Sequence, residues 1–129
     1  MKIEHIALWA KNIETMREFY TKYFGATANA KYRNEAKNFE SYFLHFETGA
    51  RLELMQKPDI PDSINDPMKQ NIGLIHIAFS TGSKENVIAL TNQLKNDGYE
   101  VLDGPRTTGD GYFESTVFDP EYNRIEITV

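Results

Sequence analysis

Apolar residues recur along the chain with two periods, and the periods follow one another in the same order twice. Ile6 and Leu8 alternate with His5, Ala7 and Trp9, a period of two that predicts a strand. Ile13, Met16, Phe19, Tyr20, Tyr23 and Phe24 then fall on one stripe at helical spacing. Asn12 is placed to cap that helix and Gly25 to end it in a left-handed conformation. Strand character returns over 26–33, 39–46 and 50–56. In the second half Ile75, Ile77 and Phe79 alternate with Leu74, His76, Ala78 and Ser80. Ser83 precedes a helix striped by Val87, Leu90 and Leu94 that Gly98 stops, and strands follow over 99–103, 111–118 and 123–129. Each half reads β-α-β-β-β.

The two halves also share residues. Ile3-Glu4-His5-Ile6-Ala7-Leu8 resembles Leu74-Ile75-His76-Ile77-Ala78-Phe79, and Arg51-Leu52-Glu53-Leu54 resembles Arg124-Ile125-Glu126-Ile127. His precedes Glu by 48 residues in the first copy and 50 in the second. The expectation is an α+β domain spanning 1–129, built from tandem βαβββ modules at about 1–57 and 71–129. The linker of about 58–70 holds three of the five prolines. Half a chain of this size buries too little apolar surface to fold alone, so the modules are expected to pack together or to exchange halves in a dimer.

Strand parity turns this repeat into chemistry, because alternate residues point to opposite faces. If Ile6, Leu8, Leu52, Leu54, Ile75, Ile77, Phe79, Ile125 and Ile127 lie under the helices, then His5, Glu53, His76 and Glu126 all lie on the other face. A carboxylate in a concave, partly dry site is costly unless it meets a cation. Two imidazoles and two carboxylates suit a divalent first-row ion, with Ni, Zn or Co favoured and Mn or Fe acceptable, whereas Cu(I) and iron–sulfur sites call for thiolates. Arg51 and Arg124 share the faces of the glutamates, so two cross-strand ion pairs are the alternative. His45 has no counterpart in the second half, where the matching position is near Val117, and is read as a packing or supporting residue.

Composition narrows the function. Fourteen Lys and Arg against nineteen Asp and Glu leave a net charge of −5, the wrong sign for a protein that binds nucleic acid through clustered cations. The chain has no cysteine, which removes disulfides, thiolate metal sites and thiol nucleophiles. The N-terminal residues carry Glu4 and His5 where a secretory signal needs an apolar run, and no stretch reaches membrane-spanning length. A cytoplasmic protein with a small-molecule substrate, and no nucleic acid or membrane partner, is expected.

The duplicated module, the early His-Ile-Ala and the stretch Asp119-Pro120-Glu121-Tyr122-Asn123-Arg124-Ile125-Glu126 resemble the vicinal oxygen chelate (glyoxalase/bleomycin resistance/dioxygenase) superfamily, and within it glyoxalase I, lactoylglutathione lyase. The resemblance implies a curled, cupped mixed sheet with helices on its outer face and a homodimer. It implies metal ligands at His5, Glu53, His76 and Glu126. The activity it implies is proton transfer through an enediolate on a metal-chelated α-hydroxycarbonyl or hemithioacetal, with Glu126, then Glu53, as the base. Other reactions of the family remain as alternatives: extradiol dioxygenase, thiol transferase, acyl-CoA epimerase, or metal-free binding of a small molecule as in resistance proteins. Where glyoxalase I typically has an Arg and an Asn for glutathione, this chain has Trp9 and Lys57. These two residues are the candidates for substrate binding, and they put glutathione itself in question.

Overall fold

The computed structural model describes residues 1–129, and the chain divides into two compact units, Met1–Ser63 and Ile64–Val129. The first unit runs β1 (His5–Trp9), α1 (Ile13–Phe24), β2 (Thr27–Ala28), β3 (Tyr32–Asn34), β4 (Phe39–His45) and β5 (Arg51–Gln56). Its strands lie in the order β1-β5-β4-β2, with β3 also on β4. The second unit runs β6 (His76–Ser80), α2 (Lys84–Asn96), β7 (Val101–Thr107), β8 (Phe113–Phe118) and β9 (Arg124–Thr128), ordered β6-β9-β8-β7. In each sheet the first strand pairs parallel to the last, and the remaining pairs are antiparallel. Two helices and two open mixed sheets make this an α+β protein.

The helices begin and end where the sequence predicts, for local reasons. Asn12 Oδ1 accepts the free N–H groups of Glu14 and Thr15, both at 3.1 Å. Gly25 adopts φ 65°, which lets Ala26 N–H reach back to Tyr20 O at 3.2 Å. The stripe of α1 buries Ile13, Met16, Phe19, Tyr20 and Tyr23, on the side where Leu44, Leu52 and Leu54 of the sheet are buried. Each such side chain contributes roughly 1.5–3 kcal/mol on leaving water. Ser83 Oγ caps α2 by accepting Asn86 N–H at 3.2 Å, and Val87, Thr91 and Leu94 face Val117, Ile125 and Ile127.

Two segments depart from the sequence pattern. The strand expected over 26–33 is split into β2 and β3, because Asn29 enters the ladder with its side chain. Its N–H donates to Phe43 O at 3.1 Å while its Oδ1 accepts Phe43 N–H at 2.8 Å, so one residue occupies both positions of a pair. The strand expected over 99–103 begins later and runs further, to Thr107, with its register against β8 shifted twice. Gly104 makes that possible at φ 78°, since a Cβ there would stand 2.5 Å from the Glu114 carbonyl oxygen. Between Gln56 and His76 there is neither helix nor strand, in keeping with the proline-containing linker.

One polar contact is sealed inside the second unit. Thr91 Oγ1 donates to Val87 O at 2.6 Å, so the bond of 2.6 Å between Thr91 Oγ1 and Ser115 Oγ is donated by Ser115. Both residues are buried. Thr91→Val strands the Ser115 proton and is expected to cost about 1–3 kcal/mol, whereas Ser115→Ala leaves Thr91 its bond to Val87 and costs about 1 kcal/mol. Urea unfolding of the two variants and of the double variant measures this asymmetry, with the double variant expected near Ser115→Ala plus the lost Thr91 bond and well short of the sum.

Candidate metal-ligand faces

The parallel pairings set the chemistry of each unit. Register aligns His5 with Arg51 and Ala7 with Glu53 in the first unit, and His76 with Arg124 and Ala78 with Glu126 in the second. His and Glu are therefore diagonal neighbours on one face. On the strand that carries the histidine, the residue directly opposite each glutamate is alanine, whose methyl group leaves the carboxylate room to lean toward the imidazole. His5 Nε2 lies 3.8 Å from Glu53 Oε2, and His76 Nε2 lies 3.5 Å from Glu126 Oε2. The glutamate side chains are only 15% and 17% exposed, and the histidines 40% and 41%. Each unit thus holds a carboxylate largely withdrawn from water beside an imidazole nitrogen.

The ion-pair alternative does not form. Arg51 Nη2 pairs with Glu4, and its guanidinium lies 4.2 Å from the centroid of Phe43. Arg124 Nη2 donates to Pro67 O at 2.8 Å and sits over Phe118. Glu4 also meets His5 Nδ1, and this bond, with the nearby Arg51 guanidinium, holds the Glu4 carboxyl below the usual carboxylate range against the opposing effect of desolvation. A carboxylate on Nδ1 orients the ring and leaves Nε2 to face Glu53, the arrangement that supports metal-ligating histidines.

The donors fit a divalent metal. Neutral imidazole nitrogen and carboxylate oxygen are the ligands of borderline ions, and the 3.5 and 3.8 Å separations are close to the roughly 3.4 Å between adjacent ligand atoms on one tetrahedral zinc. They are at or beyond the limit for a hydrogen bond. Within either unit the set stops at two, and no group of three or more His, Asp and Glu side chains gathers in ligand geometry. Two protein donors are fewer than the three or four that tight zinc sites use.

The other sequence candidates fall as follows. Trp9 shares the face of His5 at the far end of β1, is 45% exposed, and meets the Phe39 ring edge-on with centroids 6.0 Å apart. Lys57, just beyond β5, is taken by Asp59 at 2.6 Å. His45 is exposed at the end of β4, opposite Thr27, which corrects its reading as a packing residue. Its register counterpart is Phe118, since Phe43 lies opposite Glu53 as Thr116 lies opposite Glu126.

Glu114 was missed by the sequence reading. It stands two residues from Thr116 on β8 and so shares the face of Glu126, a placement that strand parity alone would have given. Burial, then the charge of Glu126, pushes its carboxyl pKa up, while Arg106, which pairs with Asp103, offsets part of this. A carboxylate whose folded pKa is raised favours the fold below its ordinary pKa, and that contribution is lost as pH rises through the folded value. Glu114→Gln is accordingly expected to raise Tm at neutral pH and to leave it unchanged near pH 3, read by thermal melts at the two pH values.

Comparison with known proteins gives these faces a context. Residues 2–127 match the glyoxalase/bleomycin resistance protein/dioxygenase superfamily pattern. No curated protein sequence matches the chain. A glyoxalase family protein from Enterococcus faecalis superposes with a TM-score of 0.77 at 26% identity, over 99% of this chain and 97% of that one. The trypanothione-dependent glyoxalase I of Leishmania major gives 0.78 at 18% identity, over 99% and 86%. A glyoxylase/bleomycin resistance protein/dioxygenase domain from Frankia gives 0.82 at 15%, over 100% and 97%. At the lower identities these likenesses speak to the fold alone. The pattern, however, spans nearly the whole sequence, and the chain therefore belongs to the glyoxalase/bleomycin resistance protein/dioxygenase superfamily.

Proposed function

We propose that the protein is a metal-dependent lyase or isomerase of the glyoxalase I type, which moves a proton between adjacent carbons of an α-hydroxycarbonyl or hemithioacetal substrate. The observation that carries this reading is the repetition of one His–Glu pair, in the same register and with nearly the same separation, on both units. His5, Glu53, His76 and Glu126 together would hold one divalent ion, Ni, Zn or Co before Mn or Fe, drawn from one chain or from two chains of a homodimer. When bound, that ion supplies Lewis acidity toward two neighbouring substrate oxygens.

The remaining steps belong to the chain. Glu126 takes the proton from one carbon and returns it to the next, with Glu53 as the second choice because the repeat makes the two nearly equivalent. Their slight exposure keeps water from competing for that proton. Glu4 positions His5 through Nδ1 and is itself held by Arg51. A dioxygenase or thiol transferase fits less well, since both work with two His and one Glu and leave a fourth position open.

Glutamine keeps the shape and one oxygen of glutamate but accepts no proton. With methylglyoxal and a panel of thiols as substrates, Glu126→Gln is expected to lower kcat by about 10²–10⁴-fold with no loss of melting temperature. Glu4→Gln is expected to weaken metal affinity by about tenfold or more while the kcat of the loaded protein stays close to the parent. Full activity in both Glu126→Gln and Glu53→Gln overturns the assignment of the base.

A further inference from the structure

On the first unit, a row of large side chains crosses the end of the face that carries His5 and Glu53. Trp9 at the end of β1 lies opposite Met55 of β5, Met55 lies opposite Ser41 of β4, and Ser41 lies opposite Tyr32 of β3. Phe39, two residues before Ser41, joins the row. Its ring meets Trp9 with centroids 6.0 Å apart at 89° and Tyr32 with centroids 6.2 Å apart at 60°. Trp9 and Tyr32 remain 45% and 53% exposed beside these contacts, so both rings keep aromatic surface in reach of a ligand. Of the three rings only Phe39 also lines a neighbouring cavity of about 410 Å³, with Arg33, Glu35, Asn38, Glu40, Gln56 and Pro58. That volume is within the range of small-molecule sites.

The cations around this shelf are already matched. Arg33 pairs with Glu40 at 2.5 Å, Lys31 with the same carboxylate at 3.4 Å, and Lys57 with Asp59 at 2.6 Å. An anionic ligand would have to break one of these pairs, whereas an uncharged aromatic group stacks on the open rings at no such cost. Four residues of strand separate His5 from Trp9, about 13 Å at the usual rise. A substrate whose oxygens sit at the His5–Glu53 end would therefore carry its remote group to the shelf.

We propose that Trp9, Phe39 and Tyr32 form a specificity subsite for an uncharged aryl group, so that the substrate is an aryl-bearing carbonyl or thiol adduct and not an adduct of a polyanionic peptide thiol. The orientation of that substrate rests on the function proposed above; the subsite itself is defined by the rings and the paired cations.

Trp9 is the only tryptophan, so its indole N–H gives a single cross-peak that reports the shelf directly. The test is a titration of the ¹⁵N-labelled protein, with no metal added, using 2-naphthylmethanol, its anionic analogue 2-naphthoate, and S-methylglutathione. A saturable shift is expected with 2-naphthylmethanol, at least fivefold weaker with 2-naphthoate, and absent with S-methylglutathione. Tyr32→Ser, at an exposed position, and Phe39→Leu, which keeps an apolar side chain, are each expected to weaken the alcohol at least fivefold with unchanged melting. No saturation, tighter binding of 2-naphthoate, or saturation by S-methylglutathione overturns the proposal. So does an indole shift that follows protein concentration without any probe, because a second copy would then cover the rings. Saturation by the alcohol in a protein that takes up no metal keeps the subsite and overturns the lyase reading. Metal uptake without saturation overturns the subsite alone.

Discussion

The parity of two parallel strand pairs governs the rest of the structure. Ala7 opposite Glu53, and Ala78 opposite Glu126, fix which residues share a face. A slip of one position in either pair would turn the glutamate under the helix and bring Leu52, Leu54, Ile125 or Ile127 out of the core. Those four residues are at most 2% exposed. Burial of the leucines and isoleucines thus holds the carboxylates beside the imidazoles, and core packing and site geometry are one constraint seen from two sides of each sheet.

The same logic explains what could be read from the sequence. Periods of two and 3.6, with Asn12, Gly25 and Ser83 as punctuation, located the helices and the strands that bear His5, Glu53, His76 and Glu126. The repeat then identified the pairs. What escaped depended on side chains acting as backbone or on contacts distant in sequence. Asn29 completes a strand pairing with its own amide, which no hydrophobic period registers. The extension of β7 depends on Gly104 lying against the carbonyl of Glu114, a contact between strands. Glu114 was open to the parity argument and was passed over because the first unit has Ser41 in its place, so the repeat did not draw attention to it.

The two units are alike in their donor pairs and unlike around them. In the first, Glu4 and Arg51 brace His5, and aromatic rings extend the face. In the second, Arg124 turns to the Pro67 carbonyl, and Glu114 adds a further carboxylate near Glu126. The two His–Glu pairs thus lie in unequal electrostatic settings. Under the proposed function, that inequality separates the glutamate that serves as base from the one that mainly binds.

The central claim is that both His–Glu pairs serve one ion. Native mass spectrometry of the untagged protein loaded with Ni, Zn or Co, alongside His5→Ala and His76→Ala, tests it most directly. The account predicts one ion per chain in the parent and loss of that ion in either variant. Two independently filled sites, each lost only with its own histidine, or no uptake of any of the three ions, would contradict it.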